Sequence, residues 1–84
     1  MNTNASLGYS ADVRMHLNVN GFVLSIGQLG PDFIILRNPA EHPPAEAEIV
    51  LSIDGEESRW NVHLPEGIVV GRTRTRTALS PLPG

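Results

Sequence analysis

The chain has no cysteine and no lysine, and only four of its 84 residues are aromatic. Without cysteine there is neither a disulfide framework nor a thiolate metal site, and the composition suits a reducing compartment. Without lysine, all positive side-chain charge comes from six arginines, and it is unevenly placed. Residues 1–71 hold three arginines against nine acids, a net of −6, while Arg72, Arg74 and Arg76 follow with no acid among them. An acidic body disfavours nonspecific phosphate binding, so nucleic acid is not an expected partner. No apolar run approaches the length that spans a bilayer, and residues 1–12 lack the basic start and apolar stretch of a secretory leader. The expectation is a cytoplasmic, soluble protein without membrane contact. Eighty-four residues make one domain, which hides only about 60–65% of the surface that its unfolded chain exposes.

What the chain does have is two turn dipeptides, Asn20-Gly21 and Asp54-Gly55, each between alternating apolar runs. Both supply the positive φ angles that a two-residue type I′ loop needs, and that loop's twist suits a β-hairpin. The first turn sets Val19 opposite Phe22, Leu17 opposite Leu24 and Met15 opposite Ile26. The second sets Ile53 opposite Glu56, Leu51 opposite Ser58, Ile49 opposite Trp60 and Ala47 opposite Val62. A one-residue slip would turn each apolar row to solvent, so the register is well specified. By this register Phe22 and Trp60 point inward, leaving no outward aromatic on which a nucleic-acid base would stack.

Between and after the hairpins, residues 27–32 form a loop rich in glycine and proline. Phe33, Ile34, Ile35 and Leu36 are apolar on both faces. Such a run suits a central strand covered on both sides, a barrel strand under a loop, or an edge that meets a partner. Pro39, Pro43 and Pro44 make residues 38–45 an extended crossover. Pro65-Glu66-Gly67 is a turn, and residues 68–70 suggest a short sixth strand. The organisation is then a flexible lead at 1–11, a β domain at 12–71 and a disordered Arg/Thr/Pro tail at 72–84. No helix is expected. The fold class is all-β: a small antiparallel barrel or sandwich of five or six strands. A barrel is favoured, because an open sheet would leave Trp60 and its apolar neighbours uncovered.

Residues able to do chemistry are sparse. His16 and His63 fall on outward faces and His42 lies in the crossover, so no three ligands converge on a metal. Glu46 opposite His63 makes a surface pair. Ser25 lacks a sequence-local base, and Ser58 sits on the inner face of its hairpin. The carboxylate pairs Glu46/Glu48 and Glu56/Glu57 lie in wet settings that do not raise a pKa for acid–base work. These features argue against an enzyme and imply no cofactor and no metal.

Residues 22–36, the proline-rich crossover and residues 47–64 together resemble the middle of a PilZ-type domain, in strand rhythm and over about half of the chain. The resemblance implies a six-stranded antiparallel barrel. In many members it also implies binding of cyclic diguanylate, through Arg-x-x-x-Arg before the barrel and Asp/Asn-x-Ser-x-x-Gly on an early strand. With Ser25 as the motif serine, Val23 takes the acid position and Gln28 the glycine position. Shifting by two residues puts Gly30 on the glycine, but Ser25 then replaces the acid and Gly27 the serine. Arg72 and Arg76 have the right spacing but follow the strands instead of preceding them. No binding residue is therefore carried over.

Two regions remain as candidate sites. Phe33, Ile34, Ile35 and Leu36 would form an interaction surface for a protein partner or a second copy if one face stayed uncovered. Arg72, Arg74 and Arg76 alternate with threonines and would present three guanidinium groups to an anion, whether an external ligand or the protein's own acidic face. The leading expectation is a non-enzymatic interaction module. The alternatives are a PilZ-like sensor of an anionic nucleotide, using those three arginines, and a small enzyme with a cleft that the sequence does not reveal.

Overall fold

In a computed structural model, which describes residues 12–79, both glycine turns close two-residue hairpin loops. Asn20 and Gly21 take φ of 47° and 82°, and Asp54 and Gly55 take 51° and 88°, the positive values that a type I′ loop requires. The first loop joins β1 (Val13–Val19) to β2 (Phe22–Leu29), with Leu17 opposite Leu24 and Val19 opposite Phe22. The second joins β4 (Ala45–Ile53) to β5 (Glu56–Leu64), with Ile49 opposite Trp60 and Ala47 opposite Val62. Between the hairpins lies β3 (Phe33–Leu36), and two short strands follow, β6 (Thr75–Arg76) and β7 (Ala78–Leu79).

All seven strands belong to one antiparallel sheet, in the order β6-β3-β2-β1-β4-β5-β7. The two outermost members, β6 and β7, are separated in the chain by Thr77 alone. One five-residue strap therefore pairs with β3 on one side and β5 on the other, curling the sheet into a nearly closed barrel. Leu17, Val19, Ile26, Ile34, Leu36, Ala47, Ile49, Val62, Leu64 and Ile68 fill the interior, with Met15, Leu24 and Trp60 packed against them. Each fully buried leucine, isoleucine or valine among them contributes about 1.5–3 kcal/mol.

The strap differs from the expectation of disorder beyond residue 71, as far as Leu79. Two sheet edges, β3 and β5, need backbone partners. Residues 75–79 supply them, with Thr75 buried and the Thr77 amide donating to the Asp32 carbonyl at 3.0 Å. The β domain thus runs to Leu79, while the calls on residues 1–11 and 80–84 lie outside the described residues. Residues 68–70 form no sixth strand: Ile68 makes a single bridge to His42 and drops its side chain into the core. Phe22 also departs from expectation, being 60% exposed. It sits beside the hairpin loop, where its ring meets the His42 imidazole edge-on, with centroids 6.4 Å apart. Ser58, expected on an inner face, is exposed near the tip of the second hairpin, where Ile53 and Val13 are also uncovered.

One further departure shapes the surface. The alternation would continue the β1–β2 ladder to Met15 and Ile26, but pairing ends at His16 and Ser25. From Ile26 onward β2 follows β3 instead, with a register shift between Ile26 and Gln28. β1 meanwhile stays on β4 as far as Val13 opposite Ile53. The two strands diverge, and a cleft opens between them.

Candidate functional site

The cleft has a volume of about 400 Å³. Arg14 and His16 reach it from the outward row of β1, and Ser25, opposite His16, from β2. Arg37 enters from the end of β3, where its amide donates to the Ser25 carbonyl at 2.9 Å. The Arg37 stem passes over Gly27, at which an added Cβ would lie 3.4 Å from Arg37 Cγ. Val13, Met15 and Ile26 provide the apolar part of the wall.

This is a cationic site on a chain of net charge −3. Arg14 Nε lies 3.4 Å from Asp12 Oδ1, but both groups are largely solvent-exposed, so the pair is weak. Arg37 has no acidic partner among the described residues. Two guanidinium forks, an imidazole and a hydroxyl form a donor set matched to phosphate or carboxylate oxygens. His16 and Ser25 are opposite in register, yet no hydrogen bond joins their side chains among the described residues.

The three arginines expected to contact an anion do not converge on open solvent. Arg72 and Arg76 both turn to Glu66, at 2.8 and 3.5 Å, so they meet the protein's own acidic face. Arg74 lies over the Phe33 ring, 4.3 Å from its centroid. Beneath the same ring is Gly30, where a Cβ would come within 2.7 Å of Phe33 Cδ1 and closer still to other ring atoms. Replacing Arg74 by alanine is expected to lower stability by about 0.5–1 kcal/mol, because the stacked cation is exposed. A urea melt would check this, and a larger loss would mean that Arg74 holds the strap by more than stacking.

The apolar run Phe33, Ile34, Ile35 and Leu36 is likewise not the open patch that a partner surface requires. Ile34 and Leu36 are in the core, Phe33 and Ile35 are half-buried, and β3 is paired on both edges, with β2 and β6. Pairing with the strap occupies the β3 edge that would otherwise be free.

Elsewhere several titratable groups find local partners. His63 Nδ1 lies 2.6 Å from Glu46 Oε2, the cross-strand pair that the hairpin register implies. His42 donates through Nδ1 to the Pro43 carbonyl at 2.7 Å and accepts at Nε2 from Asn20 Nδ2 at 3.0 Å, clasping the crossover to the turn. Arg59 bonds Glu57 at 2.9 Å and lies 3.4 Å from Glu48, and these carboxylates, Glu57 foremost, hold its pKa above the usual arginine value. Among the described residues no three His, Asp or Glu side chains gather as a metal site, and no helix is long and apolar enough to cross a membrane.

Arg14 and Arg37 were not singled out by sequence reasoning. Their only local signal is that Arg14 and His16 share an outward row across from Ser25. Arg37 joins them solely because β3 returns alongside β2. Comparison of the chain with family models, curated proteins and solved structures gives no match.

Proposed function

We propose that the protein is a non-enzymatic binding module whose barrel captures a small anionic ligand, with an anionic nucleotide as the favoured class. The cleft between the diverging halves of β1 and β2 carries this reading, because it brings Arg14, His16, Ser25 and Arg37 to one opening. Its volume of about 400 Å³ lies within the roughly 300–1,000 Å³ usual for small-ligand pockets. Arg14 and Arg37 are both exposed, so salt screens their attraction for an anion and affinity should fall as salt rises. Arg72, Arg74 and Arg76 are engaged within the protein, which moves the anion contact from the tail to Arg14 and Arg37.

The test is an NMR titration of the full chain with inorganic phosphate, adenosine 5′-monophosphate and cyclic diguanylate. Saturable shifts are expected at the amides of Arg14, His16, Ser25 and Arg37. Arg37→Ala should weaken binding at least tenfold, about 1.4 kcal/mol, without loss of fold, since the side chain is exposed. Absence of any saturable shift at millimolar ligand, or wild-type affinity in Arg37→Ala and Arg14→Ala, would overturn the reading.

A further inference from the structure

The strap closes its own barrel from a short tether, and a single turn directs it there. Ile68 is fixed by its bridge to His42, and the Val70 amide donates to Glu41 Oε2 at 2.6 Å. The chain then reverses at residues 69–72, where the Arg72 amide donates to the Val69 carbonyl at 3.1 Å. Gly71, third in that turn, has φ of +101°, which glycine adopts freely and other residues rarely do. Only Thr73 and Arg74 separate the turn from β6. A rotation at Gly71 therefore redirects the whole strap.

The pairs that hold the strap do not depend on which chain supplies it. Thr75 and Arg76 pair with Ile34 and Phe33, and Ala78 and Leu79 with His63 and Val62. Every strap residue lies after Gly71 and every partner before it. A strap from a second copy would remake each of these pairs, and the 69–72 turn is what distinguishes the two arrangements. Exchange of an identical element is a low-cost route to dimers for this reason.

The tether also fixes where two copies would meet. Residues 71–74 span at most about 13–14 Å when extended, so the second barrel must lie directly against this corner. Val69 and Val70 form an apolar pair there, 39% and 52% exposed. No residue lining the cationic cleft belongs to the turn or the strap, so each barrel keeps its site. We propose that residues 75–79 exchange between two copies of this chain, with residues 69–74 as the hinge, to give a two-fold dimer of closed barrels. Dilute chains stay closed on themselves, because association costs translational freedom that the same set of pairs does not offset.

The sequence has no cysteine, so an added pair reports which chain supplies the strap. His63→Cys with Ala78→Cys sets two thiols opposite each other in the β5–β7 register. After refolding from urea at micromolar chain, oxidation should give monomers with an internal disulfide. After refolding at millimolar chain, a fraction should run as dimers joined by disulfides between chains. Gly71→Val, in the cysteine-free protein, isolates the turn, since an added Cβ there meets nothing within 4 Å. Its backbone penalty is relieved in both chains of the exchanged dimer, so the dimer dissociation constant by light scattering should fall about a hundredfold. Only internal disulfides at millimolar chain would overturn the proposal, whether or not Gly71→Val folds. A folded Gly71→Val that is monomeric wherever the wild type is, or a dimer whose disulfides are all internal, would overturn it equally.

Discussion

Gly67→Ala is expected to destabilise the barrel by at least about 3 kcal/mol and to leave little folded protein at ambient temperature. Two constraints meet at this residue. Its φ of +64° is left-handed, a conformation that alanine adopts only with strain. An added Cβ would also run into the His42 carbonyl oxygen and would lie 2.6 Å from Pro43 C and 2.8 Å from Pro44 N. These atoms are backbone, so no change of rotamer relieves the collision. The crossover would have to move away, and it is tied here by paired hydrogen bonds: the His42 amide to the Ile68 carbonyl at 3.0 Å, and the Ile68 amide to the His42 carbonyl at 2.8 Å. Breaking that bridge would release Ile68, which is 1% exposed, from the core. Gly21→Ala isolates the backbone term, since Gly21 has φ of +82° and nothing within 4 Å of an added Cβ. That variant should lose only about 1 kcal/mol. Urea midpoints of the two variants test the packing argument, and equal losses would show that the crossover does not press on Gly67.

Ile34→Asp is the second large effect. Ile34 is 0% exposed and sits among the core side chains, while its strand neighbours Phe33 and Ile35 are only half-covered. A carboxylate placed there loses its hydration with no cation in the core to offset it, at a cost of several kcal/mol even after its pKa rises. A domain of this size has only about 4–13 kcal/mol of total stability, so the variant is expected to be largely unfolded at neutral pH. Acidification to about pH 4 should recover part of the structure, because the protonated side chain no longer carries a buried charge. Ile35→Asp, on the outer face, should fold and lose about 1–2 kcal/mol. Circular dichroism of the pair, with pH as a variable, distinguishes the faces of β3. A folded Ile34→Asp would mean that this strand is inverted or uncovered.

How much of this was legible in the chain differs from element to element. Each hairpin was readable because its information is local: a dipeptide with positive φ fixes the loop, and alternation on either side fixes the faces. Glu46 beside His63 followed from the same register. The two-sided apolar character of Phe33–Leu36 correctly allowed a central strand, but the strand that covers it lies some forty residues on. Residues 72–79 look polar and weakly patterned, and nothing near them in sequence shows that β3 and β5 each offer an unpaired edge. The cleft was equally hidden. Met15 and Ile26 alternate as though paired, and only the competing ladder between β2 and β3 pulls them apart.

The sequence by itself determined the all-β class, the two hairpins with their registers, and the inward rows that form most of the core. Those are short-range matters of backbone dihedral preference and side-chain alternation, settled within about ten residues. Tertiary structure alone decided that the strap closes the barrel, that Glu66 and Phe33 engage the arginines after residue 71, and that Arg37 comes to lie beside Arg14. Each of these depends on which distant backbone edge still needs hydrogen bonds once the hairpins have formed, and a non-local competition of that kind leaves no mark on the residues that win it.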